Sequence, residues 1–166
     1  MGNLLKSLAV AAVLFSNPVA AEEPSDAAIA FAGSFSDDQL SGMLSRIGAR
    51  QPTLIAMSQL HGPLVASVFD AEIDKAVEAH GTAWRRNMAL AWDPLLSEGE
   101  MLSLTGEGAT SPYTEKYLGL RAEAGQAMQG LSQDLFRLIL AEVVQNTITE
   151  LSDLGDDEQA PSAPAD

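Results

Sequence analysis

No cysteine occurs anywhere in the 166 residues. Disulfide staples, thiolate metal ligands, thiol nucleophiles and a lipid-modified cysteine are therefore all excluded. Histidine is nearly as scarce, with His61 and His80 the only two. Neither sits in an HExxH or a Glu-x-x-His frame, the spacings that bring two metal ligands onto one helix face. Aromatic residues make up 5% of the chain, while alanine and leucine are abundant. That balance suits helix-on-helix packing better than a β-sandwich. Positive charge is short too: 9 Lys and Arg stand against 23 Asp and Glu, for a net charge of −14 at pH 7. Such a field repels phosphate backbones and anionic headgroups, which argues against a nucleic-acid partner and against electrostatic docking to a membrane.

What is present begins with an address. Lys6 gives a basic start, Leu8 to Phe15 form a short apolar run, and Pro18 ends it. Val19-Ala20-Ala21 then offers the small residues that a signal peptidase reads, ahead of Glu22-Glu23. The apolar run is far below the roughly 20 residues needed to span a bilayer. The expectation is a signal peptide over 1–21, cleaved after Ala21, and a periplasmic mature chain with no stable membrane insertion. Lys6 is the one charge removed, so the mature chain becomes slightly more acidic.

The remainder reads as a single all-α bundle of five to seven helices over 22–154, with a long C-terminal helix and a disordered acidic tail over 155–166. Ser25 or Asp26 caps a helix over 27–32, and Ser36-Asp37-Asp38 caps a second that carries Leu40, Met43, Leu44 and Ile47. Gln51-Pro52 ends it, and Thr53 caps a turn that Gly62-Pro63 closes. Val65, Val68, Phe69, Ile73 and Val77 trace the face of the next helix, with a junction expected at His80-Gly81-Thr82. Trp84, Met88 and Trp92 then fall on one stripe of a further helix, which Asp93-Pro94 ends. Ser97 and Glu100 have the form of a capping box. Ser111-Pro112 opens the long last helix, whose interval 135–144 is apolar almost all round and is expected deep in the bundle.

Catalytic templates fail one after another. Asp70, Glu72 and Asp74 alternate like the start of a calcium loop, but Lys75 and Gly81 stand where such a loop needs its glycine and its bidentate glutamate. Gly106-Glu107-Gly108 lacks the frame and the lysine of a phosphate loop. No serine lies in a G-x-S-x-G or S-x-x-K frame. Both histidines flank a glycine, where an imidazole can bond to free carbonyls at a helix end. Arg85 and Arg86 read as surface partners for Asp93 or other carboxylates. No catalytic residue, metal ligand or cofactor is assigned. Trp84, Met88 and Trp92 are the candidate binding residues: helical spacing makes the stripe core, and its chemistry also suits a groove for apolar partners.

The segment 84–128 resembles the DUF2059 family, exported bacterial helical proteins of no settled activity. The resemblance rests on Trp84, Met88, Ala89 and Trp92, then Leu96-Ser97 with Glu98 and Glu100, then Ser111-Pro112 and Lys116. Gly108-Ala109-Thr110 replaces the family's aromatic residues before Ser-Pro, so the chain looks like a divergent member. The resemblance implies a helical envelope protein and carries over no catalytic residue.

The function expected is that of a non-enzymatic periplasmic protein that binds an envelope protein partner or a small apolar ligand in a groove between helices. The alternative is a metal-dependent or acid-base hydrolase whose carboxylates meet only in the fold, with Asp70, Asp74, Glu78 and His80 as candidates. A third reading makes the long last helix an interface between copies, and the oligomeric state is left open.

Overall fold

Ser25 starts the first helix and also fastens it to the rest of the bundle. Its hydroxyl accepts from the Ala28 N–H at 3.2 Å and donates to Asp93 Oδ1 at 2.6 Å. One cap thus satisfies an orphan helix donor and ties α1 (Asp26–Gly33) to Asp93, far along the chain. The computed structural model describes residues 23–158. The segment over 1–21 expected to be an export signal lies outside the described residues, as does 159–166 of the expected acidic tail. Residues 155–158, expected in that tail, form the end of the last helix.

α2 (Ser36–Gly48) follows after two residues. Ser36 does not cap it: the cap position is Phe35, and the buried Ser36 hydroxyl donates to Asp37 Oδ1 at 3.1 Å. Asp37 and Asp38 still stabilise the first turn through the helix dipole. In α3 (Pro52–His61) the proline takes the first helical position, where its missing N–H costs nothing. Thr53 is therefore inside the helix and not its cap, a correction to the sequence expectation. Gly62 closes α3 with φ of 59°, a conformation that glycine adopts freely.

The largest departure from the sequence reading is α4 (Leu64–Trp92), a single helix of 29 residues. His80-Gly81-Thr82 is no junction. Gly81 is buried against α2, and a Cβ there would lie 3.3 Å from Asp37 Oδ1. The glycine costs roughly 1 kcal/mol of helix propensity, and packing around it offsets that cost. It lets α2 approach α4 instead of breaking the helix.

The capping box is present. In α5 (Glu98–Glu107) the Ser97 N–H donates to Glu100 Oε2 at 2.8 Å, and the Ser97 side chain caps in return. A short 3-10 turn over Gly108–Thr110 leads to α6 (Thr114–Glu158), 45 residues long. α4 is the hub, packing against α1, α2, α3 and α6, while α5 lies against α1. Asn87 pairs with Ser132 and His80 with Glu142, so residue numbers fall on α6 as they rise on α4. The two long helices are antiparallel.

The fold is all-α: six α-helices and no strand among the described residues. Its core includes Phe31, Leu40, Leu44, Phe69, Ile73 and Met101, with Ile139, Val143 and Leu151 from α6. Interval 135–144 does not lie deep in the bundle as expected. Ile139 and Val143 are fully buried, but Leu138 is 58% exposed. The helix packs along one stripe at four-residue steps, continued by Thr147 and Leu151, and its other side faces out. Among the described residues, no helix is long and apolar enough to cross a membrane.

Candidate functional site

Trp84, Met88 and Trp92 are almost wholly buried, and together they line a cleft of about 670 Å³. The stripe belongs to the core and to the cleft at once. α2 adds Gln39, Met43 and Ile47, with Phe35 just before it, and α6 supplies the facing wall.

The register of the long pair explains the opening. Asn87 Nδ2 donates to the Leu131 carbonyl and to Ser132 Oγ, each at 3.0 Å, holding α6 close at that level. A second fastening between the stripe and α6 is Trp92 on Tyr117, whose rings stack with centroids 4.9 Å apart. From Asn87 to Trp92 is about 8 Å of helix, but from Tyr117 to Ser132 is about 22 Å, at about 1.5 Å per residue. The α6 segment between these two fastenings is rich in Gly119, Ala122, Ala124, Gly125, Ala127 and Gly130. Side chains this short leave the space beside Gly125 unfilled, and a Cβ built there meets nothing within 4 Å.

The two ends of the cleft differ. At one end Trp92 stacks on Tyr117, and Phe31 meets both rings edge-on at 5.7 and 5.9 Å. At the other, Trp84 lies 6.0 Å from Phe136 with the planes tilted by 50°. Met88 and Met128 line the middle, where flexible thioethers adapt to irregular apolar shapes. Trp84 Nε1 is buried with no acceptor among the described residues. An unpaired buried donor costs about 1–3 kcal/mol, so this end of the cleft holds an unmet polar group as well as apolar surface.

Polar residues border this apolar interior. Gln129, Gln133, Arg121 and Arg137 line it from α6, while no aspartate or glutamate does. Sequence reasoning missed these residues because it followed only apolar positions along α6. The signal was available: from Tyr117, helical steps of three or four reach Arg121, Ala124, Met128, Ser132 and Phe136. That stripe mixes polar with apolar side chains, as a wall facing partly open space does.

The carboxylates of the alternative reading do not come together. Asp70, Asp74 and Glu78 are exposed on α4, and His80 Nε2 lies 2.9 Å from Glu142 Oε2 on α6. Within the described residues, no three or more of His, Cys, Asp and Glu are grouped to hold a metal ion. His80 is thus mid-helix and bridges two helices, contrary to the helix-end role expected for it, whereas His61 does lie in the last turn of α3. Arg85 pairs with Asp37 at 3.0 Å and Arg86 with Glu23 at 3.7 Å. Both arginines thus pair with carboxylates, as expected, and Asp93 accepts from Ser25.

The chain matches no family model, no curated protein and no solved structure.

Proposed function

We propose that this chain is a non-enzymatic binding protein of the cell envelope, exported by the segment over 1–21, that holds an apolar ligand in the cleft between α2, α4 and α6. The observation that carries this reading is the cleft itself. Its volume of about 670 Å³ falls within the roughly 300–1,000 Å³ of small-molecule sites, and its apolar floor with a few polar groups is their usual make-up. The likeness of 84–128 to DUF2059 supports a helical envelope protein of this kind, with the chain as a divergent relative.

Fluorescence of the neutral apolar probe N-phenyl-1-naphthylamine tests the reading. Emission is expected to rise on adding the wild-type protein, and Gly125→Leu is expected to abolish the rise. That substitution adds bulk to the cleft wall from α6, at a position where a Cβ meets nothing within 4 Å. Gly130→Ala, outside the cleft lining, keeps the signal. No rise with the wild type, or an undiminished rise with Gly125→Leu, overturns the proposal.

A further inference from the structure

We infer that the ligand of this cleft is a single-chain amphiphile with an anionic headgroup, its tail along Met88 and Met128 and its headgroup on Arg121. The inference rests on the cleft being a ligand site and adds the chemistry of the occupant.

Charge distribution carries it. The chain has a net charge of −14, yet the cleft is lined by two arginines and by no carboxylate. Of the eight Lys and Arg among the described residues, five pair with a carboxylate and Arg46, Arg50 and Arg121 do not; of those three, Arg121 alone lines the cleft. Lys75 pairs with Glu72, Arg85 with Asp37, Arg86 with Glu23, Lys116 with Glu100 and Arg137 with Asp134. Arg121 lines the cleft and has no carboxylate partner among the described residues. Its own helix offers none: the neighbours three and four residues away are Tyr117, Leu118, Ala124 and Gly125. A guanidinium kept free of carboxylates beside apolar surface suits an anion brought by a ligand, and its planar fork matches a carboxylate or a phosphate in two parallel bonds.

The geometry gives the ligand a direction. Arg121 and Arg137 are about 24 Å apart along α6, so one headgroup meets one of them. Arg137 is already engaged by Asp134 at 3.3 Å. Arg121 lies one turn beyond Tyr117, at the end where Trp92 and Tyr117 stack. From there the tail runs over Met88, Ala124 and Met128 towards Phe136. The surrounding acidic surface repels an anionic bilayer, so the occupant is a dispersed amphiphile and not a lipid still in its membrane.

Titration of the exported protein with dodecanoate, dodecanol and dodecyltrimethylammonium, read by tryptophan fluorescence and calorimetry, tests this. Dodecanoate is expected to bind about five- to tenfold more tightly than dodecanol, with the cation weakest, as one charge-assisted contact at a partly open site allows. Arg121→Gln removes the preference for the acid and leaves the affinity for dodecanol unchanged, whereas Arg137→Gln leaves the preference intact. Added salt narrows the gap in the wild type. An acid preference that survives Arg121→Gln, or one lost with Arg137→Gln, overturns the inference while leaving the cleft as an apolar site. Arginine-dependent binding to anionic vesicles overturns it in favour of a membrane-docking face. If neither dodecanol nor dodecanoate binds, the cleft reading itself falls.

Discussion

The indole of Trp92 and the phenol of Tyr117 stack with centroids 4.9 Å apart and planes 29° from parallel. This contact fixes the last turn of α4 to the first turn of α6, and Phe31 of α1 closes against both rings. A double-mutant cycle with Trp92→Leu and Tyr117→Leu is expected to return a coupling of about 0.5–1.5 kcal/mol beyond the lost burial. Urea unfolding of the four proteins measures it. Strict additivity would mean that the rings merely share a neighbourhood.

Glycine to alanine is expected to have opposite signs at two positions. A Cβ at Gly48 would collide with the Cζ edge of the Phe69 ring, so Gly48→Ala should destabilise by about 1–3 kcal/mol despite its better helix propensity. Phe69→Leu placed beside it should recover part of that loss.

At Gly130 a Cβ meets nothing within 4 Å, and the residue is exposed in the body of α6. Gly130→Ala should therefore stabilise by about 0.5–1 kcal/mol, visible as a higher denaturation midpoint. Loss of stability there would show that α6 needs the glycine for its course.

The charge of Glu100 should contribute to the acid limb of stability. Hydrogen bonds from the Lys116 ammonium, at 2.7 and 2.8 Å, hold its carboxyl below the ordinary 4.5, and the Ser97 N–H adds to this. A depressed folded pKa stabilises above the unfolded value, and the contribution is lost as pH falls through the folded value. Glu100→Gln retains a side chain that can close the capping box and removes the charge. Its deficit in unfolding midpoint should be full above the ordinary carboxyl value of 4.5 and disappear as pH falls through the lower folded value. A deficit that persists unchanged in acid would assign the effect to geometry and not to charge.

Local signals were read most faithfully where one residue settles the backbone. Ser25 caps α1, Ser97 with Glu100 forms the box of α5, and Ser111-Pro112 leads into α6. Gly81 misled because propensity treats every glycine as a weak point, whereas this one is needed for the approach of α2, a contact no local window contains. Leu138 misled for a related reason. An all-round apolar interval reads as buried, but α6 has neighbours along one stripe only. The candidate site shows the same division. Trp84, Met88 and Trp92 were visible as a stripe because they lie four residues apart on one helix. The cleft was not, because it depends on where α6 is fastened to α4 and on what the residues between those fastenings fail to fill.

That separation has a consequence for how such a site changes over generations. The tryptophans of α4 are tied into the core, so replacing them alters folding together with binding. Gly125, by contrast, is exposed on α6, and a Cβ there meets nothing within 4 Å. A single enlargement there would shorten the space open to the proposed ligand while leaving the core packing in place. The length of the proposed ligand would therefore be set on one helix and the stability of the fold on another.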